Sequence, residues 1–548
     1  MLYFLYIAVM KERTLQMGKT LIMAYDIGTT GVKTCLFEVE NSVRLVGAAM
    51  EGYSLHVKPD GSAEQIPAEW WNAICNTTKK VLTDTGISPE SISGISFCSQ
   101  MQGLVLVDKD GKPVRNAFSY MDQRAKEELK ENMAYGLQIA GANIFKLIPS
   151  LIITGAVSAS VKDPVYKYKW VEKHEKENFK KAYKWLDVKE YIICKMTGEF
   201  VMTQDSAFGT LLYDIREGKR GWSKTVCKLL CVDMKHLPEI KRSSDKVGVL
   251  TEQSAAELGL CPGTAVFGGG GDASLIGVGA GATALGDTHV YSGTSGWVGT
   301  VVDKSIVDTS AMIAAIVGAQ DKYFNYFAEL ETAGKCLEWV KDHLALDEIG
   351  IYLKKENVAE SQESVYTSLY DYMTDAIKDV PAGCGGVIFT PWLHGNRCPF
   401  EDPNSRGMFF NISLETGKSE LIRAVLEGVC YHLRWFIETQ DKKVKTSDTI
   451  RFVGGGALSA LTCQILADCT GKTVEVTDSP QNAGSVGAAI TAAVGLGIIE
   501  NMEQAKQLVS AKATYKPDSA NKAVYDKNFT VFKQLYKSNK KNFSMLNG

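Results

Sequence analysis

Two strand-turn-strand segments with the same turn chemistry stand in corresponding places of the two halves of this 548-residue chain, and they limit its fold more than any other feature. The apolar run Leu21-Ile22-Met23-Ala24-Tyr25 leads through Asp26-Ile27 into Gly28-Thr29-Thr30-Gly31, and Val32 to Val39 returns. Val290-Tyr291-Ser292 leads into Gly293-Thr294-Ser295-Gly296, and Trp297 to Val302 returns. Each reads as a β-hairpin whose turn is rich in Gly and hydroxyl residues. Their recurrence points to duplication of half the chain. Such turns also recur by chance, so the rest of the chain has to carry that reading.

Strands alternate with helices around the hairpins. Ala68 to Thr83 is a predicted helix, Gly94 to Cys98 a buried strand, and Leu104 to Asp108 another strand. Lys169 to Glu177 and Val188 to Met196 have helical texture. Thr264 to Phe267 is a short strand running into Gly268-Gly269-Gly270-Gly271. Further on, Leu421 to Gln440 is a long helix, Ile450 to Val453 a strand into Gly454-Gly455-Gly456, and Ser485 to Leu496 a helix packed closely on a sheet. The pattern is mixed α/β in two similar halves. The expected domains are 21–277 and 278–548, divided in the Gly/Ala-rich stretch Gly277 to Gly286. Residues 1–20 read as a disordered lead-in, with Met17 or Met23 as alternative starts. In that segment the apolar run precedes Lys11-Glu12-Arg13, the reverse of a secretory signal, and it is too short to span a bilayer.

Composition excludes several classes. A net charge of −3 shows no global basic bias, which disfavours nucleic acid or an anionic membrane as partner. No other segment approaches the ~18 consecutive apolar residues of a spanning helix. The 13 cysteines are scattered and form no CxxC pair. Cys227 and Cys231 lack a second pair to complete a zinc site, so free thiols in a reducing cytoplasm are expected.

The chemistry concentrates in three glycine-rich turns, each after a predicted strand: Gly28–Gly31, Gly293–Gly296 and Gly454–Gly456. Glycine lets backbone N–H groups approach an anion, and Thr or Ser hydroxyls add donors. Any one of them alone reads as a tight turn. Asp26 closes an apolar strand just before the first turn, where a carboxylate would repel phosphate unless a divalent cation such as Mg²⁺ lay between them. Asp272 follows four glycines, a run that allows close backbone approach and could leave a carboxylate facing a cavity. Either aspartate alone could cap a helix or a turn. Transfer of a γ-phosphoryl group requires positioned phosphates, a metal and a base for the attacking hydroxyl, and the combination points there.

Three decoys fail on context. Gly417-Lys418-Ser419 and Gly471-Lys472-Thr473 resemble P-loop ends, but Ile412 and Leu466 stand where the upstream glycine is required. Gly277-Val278-Gly279 lacks the leading strand of a dinucleotide site. His289, His394 and His432 have no metal-like spacing and read as structural.

The ordered set of motifs from Leu21 to about Leu535 resembles the FGGY carbohydrate kinases, a branch of the actin-like and hexokinase-like ATPases. Asp26 to Gly31 is similar to the family's first phosphate loop, and Gly293-Thr294-Ser295 to its second. Ser99-Gln100-Met101-Gln102-Gly103 and Asp122-Gln123-Arg124 resemble its sugar-site segments. Pro164 to His174 resembles its first signature, and Gly407 to Ile412 with Glu420-Leu421 and Ala424 to Gly428 its second. Gly270-Gly271-Asp272 resembles the catalytic aspartate segment. Gly454-Gly455-Gly456-Ala457, followed by Gln464 and Ala467-Asp468, resembles the adenosine loop.

This resemblance implies two actin-like (ribonuclease H-like) domains with a nucleotide and sugar cleft between them, and domain closure that excludes water. It implies ATP at Gly28, Thr29, Thr30, Lys33, Gly293, Thr294, Ser295, Gly455, Gly456 and Ala457. It implies sugar at Gln100, Met101, Gln102, Asp122 and Asp272, with Asp272 as base and Mg²⁺ at Asp26 and Asp272. A homodimer follows by analogy with relatives.

Gln100-Met101 and the stretches Pro391-Trp392-Leu393 and Arg397-Cys398-Pro399 look most like xylulose kinases. Those enzymes usually carry His where this chain has Gln102, and Trp-Asn where it has Tyr120-Met121. Asn411 stands where the second signature normally has Gly. A pentulose such as xylulose, a hexulose or a polyol therefore stay open as substrates of an ATP-dependent kinase. A non-catalytic sugar- or nucleotide-binding regulator on the same fold is the alternative. A chaperone or filament ATPase would have no use for the segments at Gln100 and Asp122.

Overall fold

The computed structural model describes residues 20–139, 141–344 and 374–548, so residues 1–19 of the expected lead-in lie outside the described residues. The chain forms two compact units. The first contains the described residues up to Thr283 together with Ile316–Phe324 and Ala483–Val509. The second contains the described residues of Ala284–Ala315, Asn325–Asn482 and Ser510–Gly548.

In the first unit, β1 (Thr20–Ile27), β2 (Gly31–Val39) and β3 (Val43–Gly52) form an antiparallel meander. β4 (Ile92–Ser99) runs parallel to β1. β5 (Lys246–Val249), β6 (Ala265–Phe267) and β7 (Gly270–Gly271) complete the sheet, ordered β5-β6-β4-β1-β2-β3 with β7 beside β4. β6 and β7 are parallel to β4, and β5 is antiparallel to β6.

β1 is apolar at nearly every position because both of its faces are covered. Met23, Tyr25 and Ile27 pack with Trp70 and Ile74 of the helix Pro67–Thr85. Ile22 and Ala24 pack with Val486 and Ile490 of the helix Ala483–Gly495. Fully burying each of the larger side chains contributes about 1.5–3 kcal/mol.

In the second unit, β8 (Thr288–Ser292), β9 (Gly296–Val302), β10 (Phe324–Leu330), β11 (Thr449–Val453), β12 (Thr473–Thr477) and β13 (Ala511–Tyr515) are ordered β10-β9-β8-β11-β12-β13. Two short strands, Val307–Asp308 and Ile313–Val317, extend the β10 edge. β8 pairs antiparallel with β9, β11 is parallel to both β8 and β12, and β13 is antiparallel to β12. Each sheet therefore has a hairpin, then two parallel neighbours, then an antiparallel edge strand. That is the pattern expected of duplicated halves.

The two P-loop decoys are helix termini. Gly417 precedes the helix Lys418–Gln440, and Gly471, at φ 69°, ends the helix Ala460–Thr470. Asn411, which departs from the second signature, sits at φ 68°. This is a left-handed conformation that Asn, among residues with a side chain, adopts most readily. Among the described residues no helix is long and apolar enough to cross a membrane.

Candidate active site

Three parallel strands of the first unit end at one level. The register pairs Ile27 with Ser99 across β1 and β4, and Gly271 with Ser99 across β7 and β4. Gly28, Gln100 and Asp272 therefore leave the sheet side by side, with Asp26 one residue earlier on β1. The carboxyl ends of parallel strands are where α/β sheets bind ligands, because the chain turns away there and exposes backbone. β1 and β7 flank β4, which sets their chains roughly 10 Å apart.

The glycine run before Asp272 is dictated by packing. Gly269 has φ 64°, and a Cβ there would lie 2.1 Å from the Phe97 carbonyl oxygen. A Cβ on Gly271 would lie 2.1 Å from Met101 Sδ, so the expected sugar segment presses directly on the segment carrying Asp272. Asp272 is half-buried and opens the helix Asp272–Gly279, and its Oδ1 accepts the Ala273 N–H at 2.8 Å. Gly271 rather than Asp272 occupies the cap position.

Asp26, also half-buried, is pushed above the ordinary carboxylate range by burial, against the opposing charge of Lys33 and a hydrogen bond from Cys98. The Cys98 thiol is pushed up by burial first, then by the negative charges of Asp26, Asp272 and Asp205 around it. The two expected metal carboxylates thus share one neighbourhood. The described residues contain no group of three or more His, Cys, Asp or Glu arranged to hold a metal by themselves. Two hard oxygen donors suit Mg²⁺, which commonly takes one or two carboxylates and fills its remaining positions with water and substrate phosphates.

The first turn is tied back through its carbonyls. The Tyr53 hydroxyl reaches the oxygens of Gly28 (2.5 Å) and Gly31 (3.0 Å). Gln100 Nε2 donates to the Gly28 oxygen at 3.0 Å, Gln65 Nε2 to the Thr29 oxygen at 2.8 Å, and the Tyr53 N–H to the Thr30 oxygen at 3.1 Å. All four carbonyls that would repel an anion are therefore occupied within the protein.

The second unit repeats the device. The Gly293 oxygen accepts the Gly334 N–H (2.8 Å), the Thr294 oxygen accepts the Ala333 N–H (3.1 Å), and the Ser295 oxygen accepts the Gly293 N–H (2.9 Å). The third turn adjoins it. Gly454 has φ 95°, and a Cβ on Gly456 would lie 2.8 Å from Ser292 Oγ, the residue before the second turn. Ala457 is buried, whereas Gly455 is exposed with nothing within 4 Å of its missing Cβ.

The sugar segments are held from beneath. Gln102 has φ 63°, its carbonyl accepts from the buried Lys167 Nζ at 3.0 Å, and its Nε2 donates to the Gly209 oxygen at 3.3 Å. Burial pulls the Lys167 ammonium down to about 8, against the charges of Asp122, Asp163 and Asp187. Asp187 Oδ1 accepts the Gly103 N–H at 2.9 Å. Two of the expected sugar contacts have partners within the protein. The Gln100 amide nitrogen is shared between Gly28 and Gln65. Asp122 is wholly buried, accepting the Ala63 N–H at 2.7 Å and the Arg124 guanidinium at 2.7 Å. Tyr53, Gln65 and Asp187 are contributors that sequence reasoning missed. Each is a lone residue with no local pattern, and only Lys167 lies inside a recognised signature.

Two units with one strand pattern, each opening in a hydroxyl-lined turn with tied-back carbonyls, define the two-domain actin-like (ribonuclease H-like) class of kinase fold. The model of the N-terminal domain of the FGGY family of carbohydrate kinases matches residues 21–279, and that of the C-terminal domain matches residues 289–496. The chain belongs to the FGGY family of carbohydrate kinases. It is 27% identical over 517 residues to the xylulose kinase of Bacillus subtilis, covering 94% of this chain and 96% of that protein. It is equally 27% identical over 506 residues to the gluconokinase of the same organism, covering 91% of this chain and 92% of that one. A ligand-bound xylulose kinase from Lactobacillus acidophilus has the same fold, with a TM-score of 0.81 at 24% identity over 96% of this chain and 100% of that one.

Proposed function

We propose that the protein phosphorylates a small ketose or polyol, a pentulose such as D-xylulose first among them, with ATP as donor and Asp272 as general base. The observation that carries this reading is the level strand-end edge, which sets Gly28, Gln100 and Asp272 side by side. Asp272 takes the proton of the attacking hydroxyl, whose oxygen forms a bond to the γ-phosphorus as the bond to the β,γ-bridging oxygen breaks.

Gly28, Thr29, Thr30 and Lys33 of one unit, and Gly293, Thr294, Ser295, Gly455, Gly456 and Ala457 of the other, hold the nucleotide. Met101 and Gln102 face the sugar, while Gln100 and Asp122 hold the Gly28 turn and Arg124 behind them. Asp26 and Asp272 would hold Mg²⁺, which supplies positive charge against the phosphates. The free state of all the cysteines fits action in the reducing cytoplasm.

A coupled ADP-release assay over D-xylulose, further ketopentoses, ketohexoses, D-gluconate and glycerol tests the proposal. Gluconate belongs in the panel because the gluconokinase relative is as similar as the xylulose kinase. Sugar-dependent ADP release with a ketose or polyol is the expected outcome. Release with D-gluconate alone would overturn the substrate class. Sugar or nucleotide binding by calorimetry without any turnover would favour the regulator.

Gly455→Ala separates nucleotide binding from folding. The new methyl meets no protein atom within 4 Å, so Tm should hold. The KM for ATP should rise about tenfold, as for a lost contact worth roughly 1.4 kcal/mol, with the sugar KM unmoved. An unchanged ATP KM would place the nucleotide elsewhere.

A further inference from the structure

Beneath Asp272 lies a second carboxylate that neither the motifs nor the family resemblance singled out. Asp205, on the short helix Gln204–Gly209, is 1% exposed. Its Oδ2 accepts the Gly271 N–H at 2.7 Å and faces the Ser274 hydroxyl. That hydroxyl also lies 2.9 Å from the Gly271 carbonyl oxygen. Its Oδ1 accepts from Thr203 Oγ1 at 2.5 Å. Thr203 Oγ1 in turn accepts from Lys189 Nζ at 2.6 Å, and Lys189 is ion-paired with Glu190. Lys189, Glu190 and Thr203 are all completely buried.

A buried carboxylate is tolerated only where donors replace its water, and here an amide and two hydroxyls do so. The donors at both ends of this chain, the Lys189 ammonium and the Gly271 N–H, are fixed, so the Thr203 hydroxyl proton has a defined direction. Lys189 forces Thr203 to donate toward Asp205, and the Gly271 amide cannot rotate.

We infer that Asp205 is a positioning residue for phosphoryl transfer, holding Asp272 in place through the Gly271 amide and the Ser274 hydroxyl. The inference rests on the reading of Asp272 as the base. Gly271 immediately precedes Asp272, and Ser274 stands in the same first helical turn, so the backbone on both sides of Asp272 is anchored to one buried group. A carboxylate under a helix N-terminus also meets the positive end of the helix dipole. The missing side chain of Gly270 lets the carboxylate come this close, because a Cβ there would lie 2.9 Å from Asp205 Oδ2.

Asp205→Asn keeps the volume but replaces one acceptor oxygen with a donor. If the amide oxygen stays on Gly271, the amide nitrogen is forced onto Thr203, whose oxygen already takes the Lys189 proton. The site relaxes by a fraction of an ångström, and the base moves with it. Misplacement on that scale costs about 10- to 100-fold in rate.

The test uses the full-length protein, with ADP release measured on D-xylulose, or on D-gluconate or glycerol if the panel finds one of these faster. Asp205→Asn should lower kcat about 10- to 100-fold and leave both KM values within about threefold, since ground-state binding does not need the base in register. A kcat within about twofold of the native value, or a loss appearing mainly in KM, would overturn the inference. Asp272→Asn runs alongside. Should it keep full turnover, the base assignment itself fails. Should it lose turnover while Asp205→Asn keeps it, only the positioning role fails. If Asp205→Asn does not fold, as judged by circular dichroism, Ser274→Ala carries the test. It removes one donor from the carboxylate and should lower kcat several-fold at unchanged KM, and an unaltered kcat would overturn the inference.

Discussion

Asp272→Asn should lower kcat by about 10²–10⁴-fold, the contribution typical of a positioned general base. The substitution is chosen to isolate that one function. Asn has the same size and still offers an oxygen to the Ala273 N–H, which Asp272 accepts at 2.8 Å. The start of the helix Asp272–Gly279 therefore survives. What disappears is the ability to take a proton from the attacking hydroxyl. KM for the sugar should change little, because an amide can still accept or donate a hydrogen bond to a neutral hydroxyl. The measurement is steady-state ADP release on the best substrate of the panel, with Tm recorded on the same sample. A variant that keeps its Tm and loses less than about tenfold in kcat would show that Asp272 is not the base.

Gly279→Ala should destabilise the first unit severely, although it adds only one methyl group. The helices Asp272–Gly279 and Ala483–Gly495 pack backbone to backbone. A Cβ on Gly279 would lie 1.8 Å from the Ala483 carbonyl oxygen and 2.7 Å from the Gly487 nitrogen. A Cβ on Gly487 would lie 2.3 Å from the Leu275 carbonyl oxygen, so the contact is glycine-dependent from both sides. No side chain can rotate away to relieve either clash. The helices have to separate, and that also loosens Val278, Val486 and Ile490, which lie in the same core.

Overpacking costs about 1–3 kcal/mol where side chains can adjust, and against backbone the upper end is expected. For a unit of this size that corresponds to a Tm decrease of about 5 °C, read by calorimetry or circular dichroism. Turnover should fall as well, because the displaced helix begins at Asp272 and the second helix begins beside Asp26. A Cβ on Gly484 would lie 3.0 Å from Asp26 Oδ2. An unchanged Tm would mean that the two helices do not approach this closely in solution.

The parts of the site that are legible in the sequence share one property: their chemistry is local. Glycine with hydroxyl residues between two apolar runs announces a turn wherever it occurs, so both hairpins and the strand-to-turn segment at Gly454 are readable with bounds close to those observed. Four glycines before Asp272 announce close backbone approach, and Gly269 against the Phe97 oxygen is that approach. Partners distant in sequence leave no such trace. Nothing around Tyr53 or Gln65 marks them as donors to the Gly28 and Thr29 carbonyls, and nothing around Asp205 marks it as the acceptor for Gly271. Gln100 is legible as part of a motif, but its amide bond to the Gly28 oxygen is not.

The helix Ala483–Gly495 shows the same division within one element. Its small, apolar composition predicts a helix pressed against a sheet, and it is one. Which sheet it covers is not written locally. It packs in the first unit, against β1 and β4, although the chain reaches it only after the strands β11 and β12 of the second. Amino-acid order alone specifies the turns, the alternation of strands and helices, and the two aspartates at strand ends, because backbone conformation there depends on adjacent residues. Only folding selects the distant side chains that complete the hydrogen bonds of the turns and of the segment carrying Asp272. Burial makes any unpaired polar group costly, and which groups are buried together is a property of the packed chain.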